Sequence, residues 1–506
     1  MAPRSDRHIA IIGAGPGGLA AAAWLRRQGF LPVLFEAADR LGGQWNSASA
    51  ASGVWPGMRT NTSRVLTAFS DLDHAPGTAA YPTEAEMLAY LERYAAVMGI
   101  ADGIRTGTRV DRLARDPAGG WAITWRRGDD MPVTESFARV VVASGRQNSP
   151  VRPGIAGLDS FAGAGGVIHS FDYRGAADYR GQKVLVAGCS ISALEIASEL
   201  ALGGAAGVTL ACRRQRYVMQ KMLAGVPADH VAFSRWAALA GEALPPARMA
   251  AGLKDMVLRT SGAPDRFGAP KPHDDLMAAG LTQSQNYLPL VAEGRIRPRP
   301  WMTAIDGRRV AFAGGQVEEV DAIILGTGYR LSLPFLDPPI ARMLGLDGVH
   351  VDLAWHTFHP DLEGLAFIGL YDLVGPALPV LELQARWIAY AWAGKVAVPD
   401  LAWGLVAAQA RRGAVQTVTM HDMALLFARR AGAEPLPMQW PRLERALLFG
   451  PLSPVSFRLC GHDALRDAPA RVIAAAAAFG AISGQEMTED EMARWQMVQA
   501  ARLQAA

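Results

Sequence analysis

Residues 8–29 read HIAIIGAGPGGLAAAAWLRRQG, and this stretch decides the fold. The continuous apolar run His8–Ile12 is typical of a buried strand in a parallel sheet. Gly13, Gly15 and Gly18 follow at the spacing G-x-G-x-x-G, and a small-residue helix continues from them. In that motif the first glycine allows a tight turn, the second lets a pyrophosphate approach the backbone, and the third lets helix and strand pack closely. The stretch therefore predicts a dinucleotide-binding turn, whereas a turn that needs glycines for packing alone is the alternative.

The second strand, PVLFE, ends in Glu36, which stands where a ribose-binding acid is expected. A carboxylate at this position accepts hydrogen bonds from both ribose hydroxyls and repels a 2′-phosphate. The first nucleotide is therefore expected to be FAD or NAD, and NADP is disfavoured.

A second unit of the same kind begins with VLVAGCSISALEIASEL, Val184 to Leu200. Gly188 and Ala193 occupy the outer positions of the turn, but Ser190 replaces the middle glycine, and its hydroxyl could cap the helix or donate to a phosphate. The next strand, VTLAC, leads into Arg213 and Arg214, whose guanidinium groups suit a 2′-phosphate. This unit predicts an NADPH site. The alternatives are a degenerate repeat that has lost its ligand, and two arginines that are simple surface charge.

The composition of the whole chain narrows the class of protein. The 506 residues suggest two or three domains, and a net charge of +3 gives no indication of nucleic acid binding. The three cysteines form no C-x-x-C pair, so a disulfide reductase, a disulfide framework and a thiolate metal site are not expected. No cleavable signal precedes His8, and no apolar run is long enough for a membrane helix. We expect a cytoplasmic protein that binds no metal and no membrane.

Several further motifs, in order from about His8 to about Ala393, resemble those of the flavin-containing monooxygenases and their Baeyer–Villiger and N-hydroxylating relatives. These motifs are Gly42-Gly43-Gln44-Trp45, TNTSRVLTAFSD (Thr60 to Asp71), VVVASG, DAIILGTGY and ELQARW (Glu382 to Trp387). The resemblance implies an NADPH- and O2-dependent enzyme with FAD as its second cofactor and a small molecule as its substrate. Such an enzyme would form a C4a-(hydro)peroxyflavin.

The resemblance also assigns site residues. Gly43, Gln44 and Trp45 would lie beside the flavin, and Val110 beside its adenine. The segment that meets the flavin ring and the nicotinamide would comprise Thr60, Asn61 and Thr62. With the residues of the two turns, Ser192 and Gly328 complete the cofactor-binding set. Asn61 is the candidate catalytic residue, because an amide donates and accepts without titrating; a turn or helix cap is the alternative role.

One family signature departs from its usual form. In F-x-G-x-x-x-H-x-x-x-[YF], Phe161 and Gly163 are followed by His169 two residues late, and Tyr173 ends the motif. The typical Baeyer–Villiger version ends in Trp followed by Pro or Asp, so Tyr173 favours oxygenation of nitrogen or sulfur and leaves Baeyer–Villiger oxidation open. We interpret His169 as an interdomain hinge residue in preference to an acid or base. An NADPH oxidase-like flavoprotein and a non-catalytic, redox-sensing flavoprotein are the rival classes.

The expected fold class is α/β, with two Rossmann-like dinucleotide-binding domains and the NADPH domain inserted in the FAD domain. Residues 1–160 and 320–432 would form the FAD domain, and residues 161–319 the NADPH domain with a helical insertion at 217–279. Residues 433–506 would form a helical extension, in which Met492, Trp495 and Val498 make a stripe suited to the core or to a subunit contact. The sequence therefore allows a homodimer. His356 and His359 are interpreted as structural.

Overall fold

The first sheet of the computed structural model, which describes residues 6–415 and 417–505, consists of five parallel strands. The strand that precedes the first glycine turn lies at its centre. The order across the sheet is Leu365–Phe367, Arg139–Val142, His8–Ile12, Leu31–Phe35 and Ile104–Arg105. Helix Pro16–Arg27 packs against helix Leu378–Trp392, which is distant in sequence, as the predicted discontinuous domain requires.

The second sheet is also parallel, five-stranded and centred on the strand before the second glycine turn. Its order is Ile296–Pro300, Gly207–Cys212, Lys183–Ala187, Ala322–Leu325 and Gly166–His169. The expected boundary at residue 320 places Ala322–Leu325 in the first domain, but this strand hydrogen-bonds between two strands of the second sheet. We propose that the inserted domain extends through Leu325.

Both sheets are buried on their two faces, which explains why their strands are apolar runs without alternation. Ile9, Ile11, Leu185 and Ile323 are fully buried. The sheets are covered mainly by helices Pro16–Arg27, Glu84–Val97, Ile191–Leu202, Tyr287–Ala292, Leu378–Trp392 and Met420–Arg430. This is the expected α/β class with two Rossmann-like domains.

The structure also contains several smaller sheets and further helices. Two three-stranded antiparallel sheets comprise Thr108–Arg115, Trp121–Arg127 and Val133–Phe137, and Met302–Asp306, Arg309–Phe312 and Val317–Glu319. Four two-stranded sheets comprise Tyr217–Met219 with Leu281–Gln283, Met222–Leu223 with Val226–Pro227, Ser149–Pro150 with Tyr329–Arg330, and Asp372–Val374 with Thr417–Thr419. The remaining α-helices are Ala228–Ala232, Arg235–Ala243, Pro246–Ser261, Leu276–Ala279, Pro338–Met343, Leu401–Gln409, Glu444–Phe449, Ala468–Ala477 and Glu489–Ala505.

The two segments without a predicted role lie against the domains. Segment 217–279 begins with three short strands before its helices. It is therefore only partly helical, in contrast to the predicted helical insertion. In the extension, Trp495 and Val498 are buried in the core of the first domain, whereas Met492 is half exposed. The stripe of Met492, Trp495 and Val498 therefore contributes mainly to the hydrophobic core.

Within the residues that the structure describes, no helix is both long enough and apolar enough to cross a membrane. Of the two histidines interpreted as structural, His359 is buried and accepts a hydrogen bond from the Asp361 amide, 3.2 Å away. The ring of His356 packs edge-on against Tyr371.

Candidate cofactor and oxygenation site

The first glycine turn is tight, and its glycines serve different purposes. Gly13 has φ +104°, and a Cβ there would lie 2.6 Å from the carbonyl oxygen of Ala143. A Cβ on Gly18 would lie 1.9 Å from the carbonyl oxygen of Gly13, so that position excludes any side chain. A Cβ on Gly15 would meet Gly43 Cα at 3.4 Å, an ordinary contact. Gly13 and Gly18 are therefore required by the backbone itself, whereas Gly15 has room for a Cβ and owes its place in the motif to the expected approach of a pyrophosphate.

The Gly42–Trp45 segment closes over this turn. The Gly42 amide donates to the carbonyl oxygen of Ala14 at 2.9 Å, and a Cβ on Gly43, where φ is +57°, would lie 2.9 Å from Gly15 Cα. Trp45 is buried in the core, and Gln44 is exposed with its carbonyl oxygen accepting from the Ser52 hydroxyl. Two backbones thus pack against each other without side chains between them, and a side chain at Gly43 would push them apart.

Glu36 is buried at the end of its strand, where it joins the turn to the chain that follows. One carboxylate oxygen accepts from the Ala14 amide at 2.8 Å, and the other accepts from the Ala38 amide at 2.9 Å. Burial raises the pKa of Glu36, and these amides oppose the rise. Because a carboxylate has about four lone-pair sites, each oxygen retains the capacity to accept from a ribose hydroxyl. Val110, on the strand that begins at Thr108, packs near Phe35 in the same domain.

Two asparagines near the first turn have buried amide atoms that lack partners. Asn46, directly after Trp45, is fully buried, and both its amide oxygen and its amide nitrogen are without a hydrogen bond among residues 6–415 and 417–505. The amide oxygen of Asn61 is likewise buried and unpartnered within that part of the chain. The side-chain oxygen of Asn61 therefore caps no turn there, contrary to the alternative role. The pattern of the sequence did not identify Asn46.

The neighbours of Asn61 hold the segment by local hydrogen bonds. The Thr60 hydroxyl donates to the carbonyl oxygen of Thr62 at 2.8 Å, and the Thr62 hydroxyl lies 2.7 Å from that of Thr67. The Thr60 amide donates to the carbonyl oxygen of Pro82 at 2.9 Å. The turn is therefore held on both sides of Asn61 without the use of its side-chain oxygen.

In the second glycine turn, the close backbone contacts involve Gly326. Gly188 has φ +138°, and a Cβ there would lie 2.4 Å from the carbonyl oxygen of Gly326. A Cβ on Gly326 would lie 2.8 Å from the Cβ of Ala193, so alanine is accommodated in this turn because Gly326 lies opposite it. Ser190 is exposed at the start of helix Ile191–Leu202, and its side chain makes no capping hydrogen bond. Of the two roles that the sequence allowed for the Ser190 hydroxyl, the structure shows no helix capping, and donation to a phosphate stays a prediction.

The basic residues after strand Gly207–Cys212 are exposed at the same edge of the sheet. The Arg213 guanidinium lies over the Trp301 ring at 4.9 Å, and Arg214 donates to the carbonyl oxygen of Ala278 at 2.7 Å. Among the residues that the structure describes, neither arginine forms an ion pair with a carboxylate. Both positive charges are thus unneutralised. Ser192 lies in the first helical turn, and Gly328, at φ +85°, follows strand Ala322–Leu325.

The HxxxY motif lies between the two domains. The His169 ring nitrogen Nδ1 accepts from the Phe171 amide at 3.0 Å, and burial lowers the pKa of His169. Tyr173 is fully buried and packs edge-on against Trp55, whose indole nitrogen donates to Glu199 at 2.6 Å. The motif therefore joins a loop of the first domain to the helix of the second turn, an arrangement that supports the hinge interpretation of His169.

The residues of the first site fit a flavin dinucleotide. The side-chain-free approach of Gly15 and Gly43, the acid at Glu36 and the unpartnered amide atoms of Asn46 and Asn61 together match a ligand with a pyrophosphate, a ribose and a polar ring. The second site adds a turn with two arginines that have no carboxylate partner among the described residues. Two parallel sheets, each with its own nucleotide turn, define the class of two-dinucleotide flavoprotein oxidoreductases.

Within this class, the sequence profile described as flavin-binding monooxygenase-like matches residues 6–478, and the chain belongs to that family. It is therefore an NADPH-dependent flavin monooxygenase with FAD and NADPH as cofactors, acting on a small molecule with O2.

Known proteins resemble the chain over most of its length. Flavin-containing monooxygenase 3 of Rattus norvegicus is 28% identical over 483 residues, which cover 90% of this chain and 89% of the relative. The structure of S-allyl-L-cysteine S-oxygenase from Allium sativum has a TM-score of 0.62 at 22% identity and covers 92% of this chain and 98% of its own. Cyclohexanone monooxygenase from Rhodococcus sp. Phi1, bound to NADP+, has a TM-score of 0.61 at 16% identity and covers 84% of this chain and 97% of its own. At these identities the two structures establish the fold.

Proposed function

We propose that this enzyme transfers one oxygen atom of O2 to a nitrogen or sulfur atom of a small molecule, with Asn61 as the catalytic residue. The observation that carries the proposal is the buried, unpartnered amide oxygen of Asn61 between threonines whose hydroxyl groups are hydrogen-bonded. Tyr173 in place of tryptophan supports nitrogen or sulfur over a ketone.

FAD and NADPH, when bound, supply hydride transfer and the activation of O2. The Gly15–Gly43 approach and Glu36 would hold FAD, and Arg213 and Arg214 would hold the 2′-phosphate of NADPH. The amide of Asn61 would donate or accept a hydrogen bond at the reacting ring without changing its charge. Buried neighbours such as Trp45 and Trp55 would exclude water from the site.

This function is tested by measuring coupling, the fraction of the consumed NADPH that yields oxygenated product. The FAD-loaded protein is supplied with NADPH, O2 and either a thioether or N,N-dimethylaniline, and product and hydrogen peroxide are quantified. We expect one sulfoxide or N-oxide and one water for each NADPH and O2 consumed. Ester formation from cyclohexanone alone would indicate Baeyer–Villiger oxidation instead. Hydrogen peroxide equal to the NADPH consumed with every substrate would indicate an oxidase.

Replacing Asn61 with alanine should leave flavin reduction by NADPH unchanged but lower the yield of oxygenated product per NADPH about tenfold or more, because a group aimed at the reacting atoms is lost. Absorbance of the flavin measures reduction, and a peroxidase assay measures the hydrogen peroxide that replaces the product. Asn286→Ala, at an exposed position, is the control. An unchanged product yield in Asn61→Ala would remove Asn61 from the catalytic machinery.

The double substitution Arg213→Ala and Arg214→Ala should raise the KM for NADPH about 10- to 100-fold, because hydrogen bonds to a charged phosphate contribute about 1.5–3 kcal/mol. The KM for NADH should not change, since NADH lacks the 2′-phosphate. Initial rates with both nucleotides give the comparison. Arg109→Ala, whose side chain is 73% exposed, is the matched control. Equal losses for NADPH and NADH would show that the arginines do not read the 2′-phosphate.

We also propose a cytoplasmic location, in keeping with three cysteines that are all free thiols. The proposed FAD domain comprises residues before 161 and those between Leu325 and residue 433. The homodimer that the sequence allows stays a prediction, and light scattering of the purified protein measures the number of subunits directly.

A further inference from the structure

A buried polar cluster joins the Asn61 segment to segment 217–279. The Ser63 amide donates to one carboxylate oxygen of Asp229 at 2.5 Å, and the Ser63 hydroxyl lies 3.2 Å from Nε2 of His230. All three residues are buried. A short helix, Ala228–Ala232, thus places two titratable side chains against Ser63, which follows Asn61 by two residues.

The cluster has unused hydrogen-bonding capacity. The second carboxylate oxygen of Asp229 and Nδ1 of His230 are buried without a partner among the residues described, as is the amide oxygen of Asn61. An unpaired buried polar atom costs about 1–3 kcal/mol, so such atoms are expected to meet a ligand or ordered water. Because the Ser63 contacts hold the two segments together, these atoms point to a site that is completed when cofactor or substrate is present.

The charges around the cluster determine its state near neutral pH. Burial raises the pKa of Asp229 to about 6, while amide donors from Ser63 and its own helix lower it. Burial together with the positive charge of Arg64 lowers the pKa of His230 to about 4. The phenol of Tyr81 also faces Asp229. Above pH 6 the cluster therefore pairs a carboxylate with a neutral imidazole, which suits acceptance from the Ser63 amide.

The C-terminal extension covers the outer side of the cluster. The Phe479 ring packs edge-on against His230 at 5.3 Å, and the Arg64 guanidinium lies 4.9 Å over the same ring. Phe479 has φ +59° and ψ +18°, a left-handed conformation that is strained for a residue with a side chain. The tail and segment 217–279 therefore meet at the backbone that carries Asn61.

We propose that Asp229 and His230 are positioning residues that fix the Asn61-bearing turn through Ser63, with Phe479 shielding them from water. The inference rests on the proposed role of Asn61. It assigns a function to segment 217–279 and to the tail, since both converge on a turn that must hold one amide in place while the reaction proceeds.

The test compares Asp229→Ala with Asp229→Asn in the full-length, FAD-loaded protein. Hydrogen exchange of peptides covering residues 60–67 reports the turn directly, without catalysis. We expect exchange of the Ser63 amide to accelerate about tenfold or more in Asp229→Ala and less in Asp229→Asn, which keeps an acceptor oxygen. Asp255→Asn, in the same segment with a side chain 61% exposed, is the control.

The second measurement is flavin reoxidation by O2 after reduction with NADPH. We expect it to be several-fold faster in Asp229→Ala, with more hydrogen peroxide and an unchanged reduction rate. Combining Asp229→Ala with Asn61→Ala should add nothing to Asn61→Ala alone, because Asp229 acts through Asn61. Additive effects would overturn the proposal, as would unchanged exchange of the Ser63 amide.

Failure of the proposed function has a different signature. If Asn61→Ala leaves reoxidation and product yield unchanged while Asp229→Ala accelerates exchange, the role of Asn61 is wrong. If Asn61→Ala has its expected effect and Asp229→Ala does not alter exchange, the positioning role of Asp229 is wrong.

Discussion

Replacing Gly18 with alanine should abolish stable FAD binding and destabilise the first domain by about 4 kcal/mol or more, the range of severe backbone clashes. The added Cβ would lie 1.9 Å from the carbonyl oxygen of Gly13, a backbone atom that cannot rotate away. Helix Pro16–Arg27 would have to move off the central strand and so disrupt its packing against helix Leu378–Trp392. Flavin content after purification and thermal unfolding give the measurement.

The companion substitution Gly15→Ala distinguishes loss of fold from loss of ligand. Its Cβ would make only an ordinary contact with Gly43, so unfolding should be unchanged within about 1 kcal/mol. FAD affinity should nevertheless fall at least about tenfold, because the methyl group occupies the surface that a pyrophosphate would approach. A Gly18→Ala protein with normal flavin content would contradict the steric argument. Normal FAD affinity in Gly15→Ala would contradict the placement of the pyrophosphate.

Replacing Arg458 with methionine should lower the free energy of unfolding by about 3–5 kcal/mol, the cost of leaving buried charges unpaired. Its side chain is 3% exposed, and the guanidinium donates to the Ser70 hydroxyl and to Asp71, each at 2.7 Å. Ser70 in turn donates through its amide to Glu382 at 2.8 Å. Asp71 would keep only its ion pair with Arg27 at 3.0 Å, and Glu382 would lose the nearby positive charge that opposes the rise of its pKa. Urea unfolding measures the change, with Arg109→Met at an exposed position as control.

This deficit should depend on pH in a defined direction. Burial raises the pKa of Glu382 to about 6, and the charge of Arg458 opposes that rise. Without Arg458 the folded-state pKa of Glu382 rises further, and a raised carboxyl pKa contributes stability at low pH that is lost as the pH rises through it. The variant should therefore be closer to the wild type at pH 5 than at pH 8. A deficit that is larger at pH 5 would show that Glu382 does not carry the effect.

The Arg458 network also explains parts of two motifs that resemble those of the family. Ser70 and Asp71 end the TNTSRVLTAFSD segment, and Glu382 and Arg386 belong to ELQARW. In the structure these side chains hold the C-terminal extension: Arg386 donates to the carbonyl oxygen of Phe457 at 2.7 Å. Their part of each motif is therefore structural, a role that a motif alone does not reveal.

The two nucleotide turns were predictable from the sequence because their physics is local. A strand, a glycine turn and a helix follow one another within a few residues, and the conformations that glycine permits are readable at each position. Glu36, Arg213 and Arg214 end the following strands for the same reason. The α/β class and the family followed from these units and their order.

Only the tertiary structure decided which distant segments meet. The pairing of Ala322–Leu325 in the second sheet, the Arg458 network and the contact of Asp229, His230 and Phe479 with the Asn61 turn all join residues far apart in sequence. Periodicity shows which side of an element is buried, but it does not identify the partner that covers it. The choice of partner depends on packing that becomes defined only when the whole chain is folded.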